Sequence, residues 1–519
     1  MTDDTPWSDT GYVVEVPYTR EFFRYQTPLS MSFAALCNGV GAPDPTGSFD
    51  YLDIGCGEAI TLMILAACHP ESRFVGIDMN RAHIESASQI ARAAGLDNLE
   101  LEVATFDDFA ARTTRSFDYI AAHGIYTWVN EDGRRGVRDI VAKTLKPSGL
   151  FYLCHYVRPG ADRTKALYDM IQSSMMDHED LPIVERIRAT ISDLRKLQEA
   201  NAPIFRIYPD LDDDLADLET RDDRYLAHEF GNKYFEPLTF ANVVDGLTKN
   251  GFVFAGSVRT DRNRPENRIG EQALQNLKSL DRTKLEVRMS YLSDESFRWD
   301  VFARRNAPRP GHPALRNSAG HLGFGPAGAS RKMPPSERHG QRDIEFKTPP
   351  IRSMLEAAIN GTETLGSLID TYPDGPEVAI SCLRDIVATR VFEPQLRRCI
   401  RIAPDSQTTY RHTHSLSALL FDRDFKYEGV SILPAPVRGT ALHLYGVQAV
   451  ITRFLDGCKP GDALNSAWEW ISELSPAHAS KLHNPSMKDR KQFDREAVIF
   501  LRRTMPMLIS WNVIFAYSG

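Results

Sequence analysis

The amino-acid sequence predicts an α/β protein built on a doubly wound sheet with a helical cap insertion, followed by a mainly helical C-terminal domain. The first observation is that strand-like apolar runs alternate with helix-like patterns between residues 51 and 158. The second is that the first apolar run ends at Gly55 and Gly57, where a strand can turn sharply into a helix. The third is a late pair of strand-like runs, 251–258 and 297–304, which would close the sheet.

The alternating segment is expected to form a Rossmann-like parallel sheet with helices on both faces. The expected strands lie near residues 51–55, 73–77, 99–104, 117–122 and 149–154, and the expected helices near 58–68, 80–94 and 133–145. In such a sheet the ligands bind outside the carboxyl ends of the strands. Residues that follow each strand are therefore the candidates for function.

Residues 1–50 precede the sheet and are expected to form an N-terminal lid segment. Aromatic residues are concentrated in 12–28, a stretch too short to bury a core of its own. Two interpretations are open. The stretch could be a strap packed across the sheet edge, or a lid that brings Tyr18, Phe22 or Tyr25 over a ligand held by the sheet.

The turn after the first strand is a candidate ligand cradle. Gly55 and Gly57 allow backbone N–H groups to approach a ligand at the start of a helix. A dinucleotide-binding fingerprint would need a third glycine at position 60, which is Ile60. Asp53 suits a ligand that carries an ammonium, and Asp78, after the second strand, is placed to accept both hydroxyls of a ribose. These residues predict an amino-acid nucleoside as the ligand.

This stretch resembles the class I S-adenosylmethionine (SAM) methyltransferases. Their first motif is similar to residues 53–59 of this chain, and their second is similar to residues 76–78. The resemblance implies SAM as the cofactor and adds Met79 to the cofactor-binding residues. The family commonly has an acid beside the adenine after the third strand; here that position is Thr105, and Phe106 is the expected adenine neighbour.

The loops after the fourth and fifth strands are expected to form the acceptor pocket beside the transferable methyl group. The candidate catalytic residues are His123, Tyr126 and Trp128 after the fourth strand, His155 and Tyr156 after the fifth, and Tyr18 from the lid. His123 is also expected to bind the cofactor. The alternative is a buried aromatic cluster with a hydrogen-bonded histidine.

Tyr126 is the residue predicted to matter most for turnover. Methyl transfer to an amine needs a neutral nitrogen lone pair aimed at the sulfonium, so positioning is the main contribution. A Tyr or His can accept an amine hydrogen bond or pass its proton to water, and aromatic faces stabilise cations. A carboxylate acceptor would instead call for Lys or Arg, of which only Arg158 is nearby in sequence.

The sheet domain, residues 51–305, is expected to contain two insertions. The helix pattern at 239–250 and the strands that close the sheet arrive about eighty residues later than the fifth strand requires. The charged helical stretch 160–235 is therefore predicted to be a cap over the ligand end of the sheet. A smaller insertion is predicted at 259–296.

A narrower resemblance rests on three stretches in order: residues 123–129, residues 225–240 and residues 297–302. Together they resemble methyltransferases that carry a methyltransferase regulatory domain, a group that includes the rickettsial outer-membrane-protein lysine methyltransferases. The resemblance implies N-methylation of an amine such as a protein lysine. The chain has His155-Tyr156 where those relatives have Tyr-Asn, which leaves the acceptor open. Methylation of a small-molecule or natural-product intermediate and a non-catalytic SAM-binding regulator are the alternatives.

Residues 306–350 are rich in Pro, Gly, Ser, Arg and His and are predicted to be a linker. Residues 351–519 are predicted to be a C-terminal helical domain that starts with three short helices and an extended segment, as in a winged-helix unit. The near-neutral charge of this part disfavours a nucleic-acid partner, so a docking module for a partner or substrate is the preferred interpretation.

Composition limits the remaining classes. The 519 residues are 42% hydrophobic and 25% charged, with a net charge of −8, which is ordinary for a globular protein. Seven cysteines without framework spacing indicate reduced thiols and a cytoplasmic location. No metal-ligand spacing and no membrane-spanning run is found, so neither a metal nor a membrane partner is expected. A protein or small-molecule amine is the expected substrate, and a homodimer is left open.

Overall fold

The structure is a computed structural model that describes residue 11 and residues 20–293, 295–311, 313–328, 336–339, 342–346, 349–359, 363–400, 402–474 and 489–517. Its centre is a mixed sheet of eight strands. They are β1 (Asp50–Ile54), β2 (Arg73–Asp78), β3 (Leu99–Val103), β4 (Phe117–Ala122), β5 (Leu145–Arg158), β6 (Leu238–Thr239), β7 (Phe252–Ser257) and β8 (Phe297–Arg304).

The sheet order is β3-β2-β1-β4-β5-β8-β7, and the two-residue β6 pairs with the end of β5. Strands β1 to β5 are parallel, whereas β8 is antiparallel to both β5 and β7. The prediction of a doubly wound sheet closed by a late hairpin is therefore confirmed. Because the order reverses between β1 and β4, a crevice opens there at the carboxyl ends of the strands.

Helices cover both faces of this sheet. They are α1 (Pro28–Cys37), α2 (Ile60–Cys68), α3 (Arg81–Ala94), α4 (Phe106–Arg112), α5 (Glu131–Thr144) and, later in the chain, α11 (Phe240–Lys249). α2 is apolar all round and almost wholly buried, because the sheet covers one side of it and the C-terminal part of the chain covers the other. Asn80, Thr105 and Asn130 cap α3, α4 and α5 by accepting backbone N–H groups of the first turn.

Residues 160–235 form a small helical layer of their own at the ligand end of the sheet, which we call the cap. Its helices are α6 (Asp162–Ser174), α7 (Ile183–Glu199), α8 (Ile204–Ile207), α9 (Leu211–Thr220) and α10 (Asp223–Phe230), with a 3-10 turn at Met175–His178. A separate apolar cluster fills the cap and extends to Trp128 and Tyr156 of the sheet domain. The cap thus has its own core and rests on the loops after β4 and β5.

The second predicted insertion, 259–296, is also helical. It contains a 3-10 turn at Thr260–Asn263, followed by α12 (Glu266–Ile269), α13 (Glu271–Gln275) and α14 (Arg282–Leu292). A buried ion network joins it to β8: Arg268 bonds Glu286 and Glu295 at 2.6 Å each, and Arg298 bonds Glu295 and Asp300 at 2.9 and 2.7 Å. These buried charges are mutually compensated, as buried charges must be.

The C-terminal part begins with elements that lie in the predicted linker. They are α15 (Ala314–Ala319), β9 (Gly323–Pro326), β10 (Ser336–His339) and β11 (Arg342–Glu345). Ala314, Leu315 and Phe324 are fully buried among the helices that follow. The predicted linker 306–350, which was expected to be ordered only where it lies on a domain, is ordered over the described stretch 313–328, because its apolar residues pack in the core of the helices that follow.

The remaining elements alternate helices with short strand pairs. They are α16 (Pro349–Ala358), α17 (Leu365–Asp370), α18 (Pro376–Ala388), β12 (Phe392–Gln395), β13 (Thr409–His412), α19 (Leu416–Glu428), β14 (Val430–Ala435), β15 (Thr440–Tyr445), α20 (Gly446–Phe454), α21 (Pro460–Glu473), α22 (Arg490–Ile499), a π-helical turn (Phe500–Thr504), α23 (Met505–Ser510) and β16 (Ile514–Tyr517). The three helices and the extended segment expected at its start are present. Strand pairs β9–β12, β13–β16 and β14–β15 interrupt the helical pattern. Among the described helices, none combines the length and the apolar character needed to cross a bilayer.

Candidate active site

The loop between β1 and α2 has the backbone geometry of a ligand cradle. Gly55 and Gly57 have φ values of +72° and +55°, a region that favours glycine. The N–H groups of Gly55 and Cys56 donate to the carbonyl of Ile77 at 2.8 and 3.0 Å, which holds the loop against β2. A Cβ on Gly55 would lie 2.0 Å from Ile125 Cδ1, whereas a Cβ on Gly57 would meet no atom within 4 Å. Gly55 is thus needed for close packing and Gly57 for the turn itself.

A cavity of about 400 Å³ opens beside this loop at the carboxyl ends of β1, β2 and β4. Nine residues of the predicted site line it: Trp128 of the predicted acceptor pocket and eight others, Asp53, Gly55, Gly57, Asp78, Met79, Thr105, Phe106 and His123. The eight are the whole predicted cofactor-binding set, so the structure brings all of them to one cavity. Its size is within the range of sites for small-molecule cofactors.

Asp53 is a buried carboxylate that lacks a strong partner within the described residues. Gln26 donates to Oδ2 at the long distance of 3.5 Å, and Oδ1 accepts no hydrogen bond. Burial, with a contribution from the charge of Asp78, raises the pKa of Asp53 to about 8. A buried carboxylate in this position is stabilised by a cation, and the α-ammonium of an amino-acid moiety supplies one.

Asp78 holds the cradle as well as facing the cavity. Its Oδ2 accepts the N–H of Gly57 at 2.9 Å, and its Oδ1 accepts the N–H of Asn80 at 2.8 Å. Burial raises the pKa of Asp78 in spite of these bonds. Each carboxylate oxygen has a second lone pair, so Asp78 can still accept ribose hydroxyls. The unpartnered oxygen of Asp53, the open side of Gly57 and this remaining acceptor capacity together fit SAM.

Phe106 and Thr105 lie at the far end of the cavity, at the start of α4. The Thr105 hydroxyl already caps this helix: it accepts the N–H of Asp108 at 3.2 Å and donates to Asp108 Oδ2 at 2.7 Å. Phe106 packs beside Gly136 of α5, where a Cβ would lie 2.9 Å from Phe106 Cβ. The aromatic side chain is therefore fixed by the helix pair, and it offers an apolar face to an adenine ring.

His123 lies between two aromatic rings at the end of β4. Phe23 stacks on it at a centroid distance of 3.9 Å, and its Nδ1 is 3.0 Å from the hydroxyl of Tyr152. Burial lowers the pKa of His123 to about 3, so the imidazole is neutral at physiological pH. A neutral, fixed histidine can position a ligand but cannot supply a positive charge.

Three of the predicted acceptor residues, Tyr126, His155 and Tyr156, do not line the cavity. Tyr126 is buried in the core beneath α5, and its hydroxyl accepts a hydrogen bond from Arg138 Nη1 at 2.8 Å. The reason is a tight turn: the N–H of Trp128 donates to the carbonyl of Ile125 at 2.8 Å, which directs Ile125 and Trp128 to the cavity and Tyr126 away from it. The prediction that Tyr126 faces the acceptor is therefore wrong.

His155, predicted to face the acceptor, also lies away from the cavity. It is fully buried, with Nε2 3.6 Å from Asp300 Oδ2, and it belongs to the interior beside β8 and not to the cavity wall. Successive side chains of a strand point to opposite faces, so its neighbour Tyr156 points the other way. The Tyr156 hydroxyl donates to Glu229 Oε2 at 3.3 Å, and Glu229 lines the cavity.

Of the described N-terminal aromatic residues, some pack against the rest of the protein as a strap would, and one lines the cavity as a lid would. Tyr18 lies outside the described residues. Phe22 is buried near His443, and Tyr25 packs against Trp299 and accepts a hydrogen bond from Arg390 at 2.5 Å, so both act as packing residues. Among the described aromatic residues of this segment, Phe23 lines the cavity, and nothing in the sequence distinguishes it from its aromatic neighbours.

Gln26 and Glu229 are further cavity residues that sequence reasoning missed. Gln26 gave no signal, because a glutamine two residues before a proline has no pattern that points to a ligand. Glu229 did give one: it belongs to the stretch 225–240 that carried the narrower resemblance. That resemblance marks the family but not a cavity residue, because Glu229 is more than seventy residues away from Tyr156 in the sequence and comes next to it only in the fold.

Comparisons with known proteins identify two matching families and several relatives. A family described as "Methyltransferase domain" matches residues 46–203, and one described as "Predicted methyltransferase regulatory domain" matches residues 222–304. An uncharacterized protein of Synechocystis, sll1526, is 26% identical over 363 residues, which is 70% of this chain and 71% of that protein. An uncharacterized protein of Rickettsia prowazekii, RP028, is 26% identical over 242 residues, 46% of this chain and 94% of that protein.

Among solved structures, PKMT2 from Rickettsia typhi in complex with AdoHcy is similar along nearly the whole chain. The TM-score is 0.70 at 17% sequence identity, with 96% of this chain and all of that chain covered. A second structure of PKMT2 from Rickettsia typhi gives a TM-score of 0.69 at 18% identity. The two proteins thus share a fold that includes the C-terminal part. The sheet order, the cradle and the two matching families thus show a class I SAM-dependent methyltransferase domain over residues 46–203, followed over residues 222–304 by a region that matches a methyltransferase regulatory domain.

Proposed function

We propose that this protein methylates the nitrogen of a cationic amine, with the side chain of a protein lysine as the favoured acceptor. The observation that carries the proposal is the charge of the cavity wall. Seven carboxylates line the cavity and, within the described part of the chain, no Lys or Arg does; the seven are Glu21, Asp53, Glu58, Asp78, Asp107, Asp132 and Glu229. Glu58 is paired with Arg20 and Arg423, and Asp132 with Arg135, but a wall with this excess of carboxylates still favours cations over carboxylate or phosphate acceptors.

Two of these carboxylates are assigned to the cofactor by their position on the sheet. Asp53 would hold the ammonium of SAM, and Asp78 would hold its ribose hydroxyls. Phe106 and Met79 would lie beside the adenine. When bound, SAM supplies an electrophilic methyl group on a sulfonium. The residues of this chain then have to place a neutral amine in line with that group and keep water away from it.

The choice of lysine rests on resemblance as well as on the cavity. The matching regulatory domain and the likeness in fold to PKMT2 support a lysine acceptor, and the acidic, aromatic wall suits an alkylammonium. A free small-molecule amine satisfies the same wall, so the experiment must identify the acceptor itself.

The test is a transfer assay with methyl-labelled SAM on an unmethylated bacterial extract, followed by acid hydrolysis and amino-acid analysis of the protein fraction. We expect the label in methylated lysine, and no transfer by the Asp53→Ala variant. Label in base-labile esters or on carbon would contradict amine methylation. Label confined to small amines would keep the reaction and replace the acceptor.

A further inference from the structure

The cavity has two ends, which the strand order separates. Asp53 and Asp78 belong to β1 and β2, on the side that leads to β3 and Phe106. Trp128 follows β4 and Tyr156 lies near the end of β5, on the opposite side of the crevice. Because the cofactor residues occupy the first side, the second side is where an acceptor must enter.

Glu229 of α10 closes this second side from above. It lines the cavity from the cap, and its Oε2 accepts the hydrogen bond from the Tyr156 hydroxyl that runs from the cap to the sheet. Within the described residues no Lys, Arg or His forms an ion pair with Glu229. The charged and titratable groups that face it are Tyr156 from β5, Arg221 before α10 and Tyr225 one turn back on α10.

We propose that Glu229 is the acceptor-binding carboxylate, which pairs with the substrate ammonium and accepts the proton that the amine must lose before methyl transfer, while Tyr156 positions it. This inference rests on the proposed amine acceptor. It adds a residue and a proton pathway that the methyltransferase fold alone does not provide.

The surroundings of Glu229 suit an alkylammonium. Trp128, Tyr156, Phe235 and Phe297 form a continuous aromatic group, with centroid distances of 4.6 Å for Trp128 to Phe235, 5.0 Å for Tyr156 to Phe235 and 4.8 Å for Tyr156 to Phe297. Aromatic faces attract cations whose charge is spread over N–H and N–CH3 groups. Of these four residues Trp128 lines the cavity, and its indole face can bind both the substrate ammonium and the methylated product, while the other three rings pack beside it.

Glu229 also has a proton affinity that matches this role. Burial raises its pKa to about 7, although the Tyr156 hydrogen bond and the charge of Arg221 act in the opposite direction. A carboxylate with an ordinary pKa is a poor acceptor for an ammonium proton, and raising the pKa of the carboxylate narrows that gap.

The proton and electron balance is simple. The bound ammonium gives one N–H proton to the Glu229 carboxylate, which leaves a neutral amine and a carboxylic acid. The nitrogen lone pair then forms the N–C bond, while the methyl–sulfur bond breaks and its electron pair stays on sulfur. The methylated product carries the positive charge, and Glu229 releases its proton to solvent as the product leaves.

The test measures binding without turnover. The full-length protein is saturated with S-adenosylhomocysteine, and n-butylamine is titrated calorimetrically at about pH 5.5 and about pH 8.5, on either side of the raised Glu229 pKa. Because Glu229 is neutral at the lower pH and charged at the higher pH, wild-type affinity should rise by about 10-fold or more between them. n-Butanol should show no such rise.

Three variants separate the roles. Glu229→Gln should lose the rise with pH and bind butylamine about 10- to 100-fold more weakly at the higher pH, with unchanged affinity for S-adenosylhomocysteine. Tyr156→Phe should move the midpoint of the rise to higher pH, because its hydroxyl stabilises the charged carboxylate. Asp213→Asn, an exposed residue of α9 outside the cavity, removes the same charge and should behave as wild type.

The inference is overturned if wild type shows no saturable butylamine binding, or if Glu229→Gln keeps the wild-type pH dependence while it still binds S-adenosylhomocysteine. It is distinguishable from a failure of the proposed function. If methyllysine forms and the Glu229→Gln profile is unchanged, only the role of Glu229 is wrong. If the labelled product is an ester or a C-methyl compound, the amine acceptor itself is wrong.

Discussion

At the scale of single residues, Tyr126 shows that the direction of a side chain decides its role. Its hydroxyl accepts a hydrogen bond from Arg138, and the side chain does not line the cavity. We therefore expect Tyr126→Phe to leave kcat within about 3-fold of wild type. The lost hydrogen bond to a charged group should lower the free energy of unfolding by about 1.5–3 kcal/mol, measured by urea denaturation.

Asp78→Ala is the matched comparison for this prediction. Asp78 faces the cavity and anchors Gly57, so its loss should weaken SAM binding by about 1–3 kcal/mol in a calorimetric titration. A 100-fold fall in kcat for Tyr126→Phe at wild-type stability would show that Tyr126 belongs to the acceptor site after all. Unchanged SAM affinity for Asp78→Ala would show that Asp78 does not bind the cofactor.

The residues that could be predicted from sequence are those whose position follows from one local motif. Asp53, Gly55, Gly57 and Asp78 lie directly at strand ends, and their placement depends on few other contacts. Glu229 reaches the cavity only because the cap folds back over β5, a long-range event with no local signal. Tyr126 was misplaced for a related reason, since a single turn hydrogen bond after β4 sets its direction.

At the scale of elements, the cap is a layer that can be removed. It leaves the sheet after Arg158 and returns at Leu238, where β6 pairs in parallel with the end of β5. Replacing residues 160–235 with a flexible linker of about a dozen residues should therefore leave the sheet folded. We expect S-adenosylhomocysteine affinity within about 10-fold of wild type and no methyl transfer, because Glu229 is gone.

Leu215→Ala provides a milder version of the same experiment. Leu215 is fully buried in the cap core, so its truncation should destabilise the cap by about 2–5 kcal/mol while the cradle stays intact. Loss of cooperative unfolding, or of S-adenosylhomocysteine binding, on deletion of the cap would show that this layer is part of the central core.

Elements whose apolar residues follow a clear strand or helix pattern could be predicted from the sequence. Elements whose burial depends on segments far away in the chain could not. The strands β7 and β8 were found at their predicted positions because apolar runs mark them. The stretch 313–328 was assigned to a linker on its glycines and prolines, although Leu315 and Phe324 are fully buried. Their burial depends on α16 to α18, which come later in the chain, so composition alone could not reveal it.

At the scale of the whole molecule, the catalytic and C-terminal parts share their cores. Phe33 and Leu36 of α1 belong to the cluster that contains Phe324 and Leu383, and Leu420 of α19 packs in the cluster of the central sheet. Polar contacts cross the same boundary: Arg264 bonds Asp385 at 2.6 Å, and the hydroxyl of Ser415 donates to the carbonyl of Ala94 at 3.1 Å. The division at residue 305 marks a change in sequence pattern and not a gap in packing.

The contacts between the catalytic and C-terminal parts extend to the cradle loop. Glu58, in the cradle loop, is bonded by Arg20 at 2.7 Å and by Arg423 of α19 at 3.4 Å. The C-terminal part thus contacts the loop that carries Gly57. Ligand binding at the cavity should therefore stabilise both halves together.

We accordingly expect a single cooperative unfolding transition for the full-length protein, measured by calorimetry, with calorimetric and van't Hoff enthalpies that agree. S-Adenosylhomocysteine should raise the midpoint of that one transition, since it binds only the folded state. Phe33→Ala, in the shared cluster, and Phe493→Ala, in a cluster to which only C-terminal residues contribute among those that the structure describes, should each lower the same midpoint. Two separate transitions, of which only one responds to S-adenosylhomocysteine and only the other to Phe493→Ala, would show instead that the C-terminal part is an independent domain docked on the enzyme.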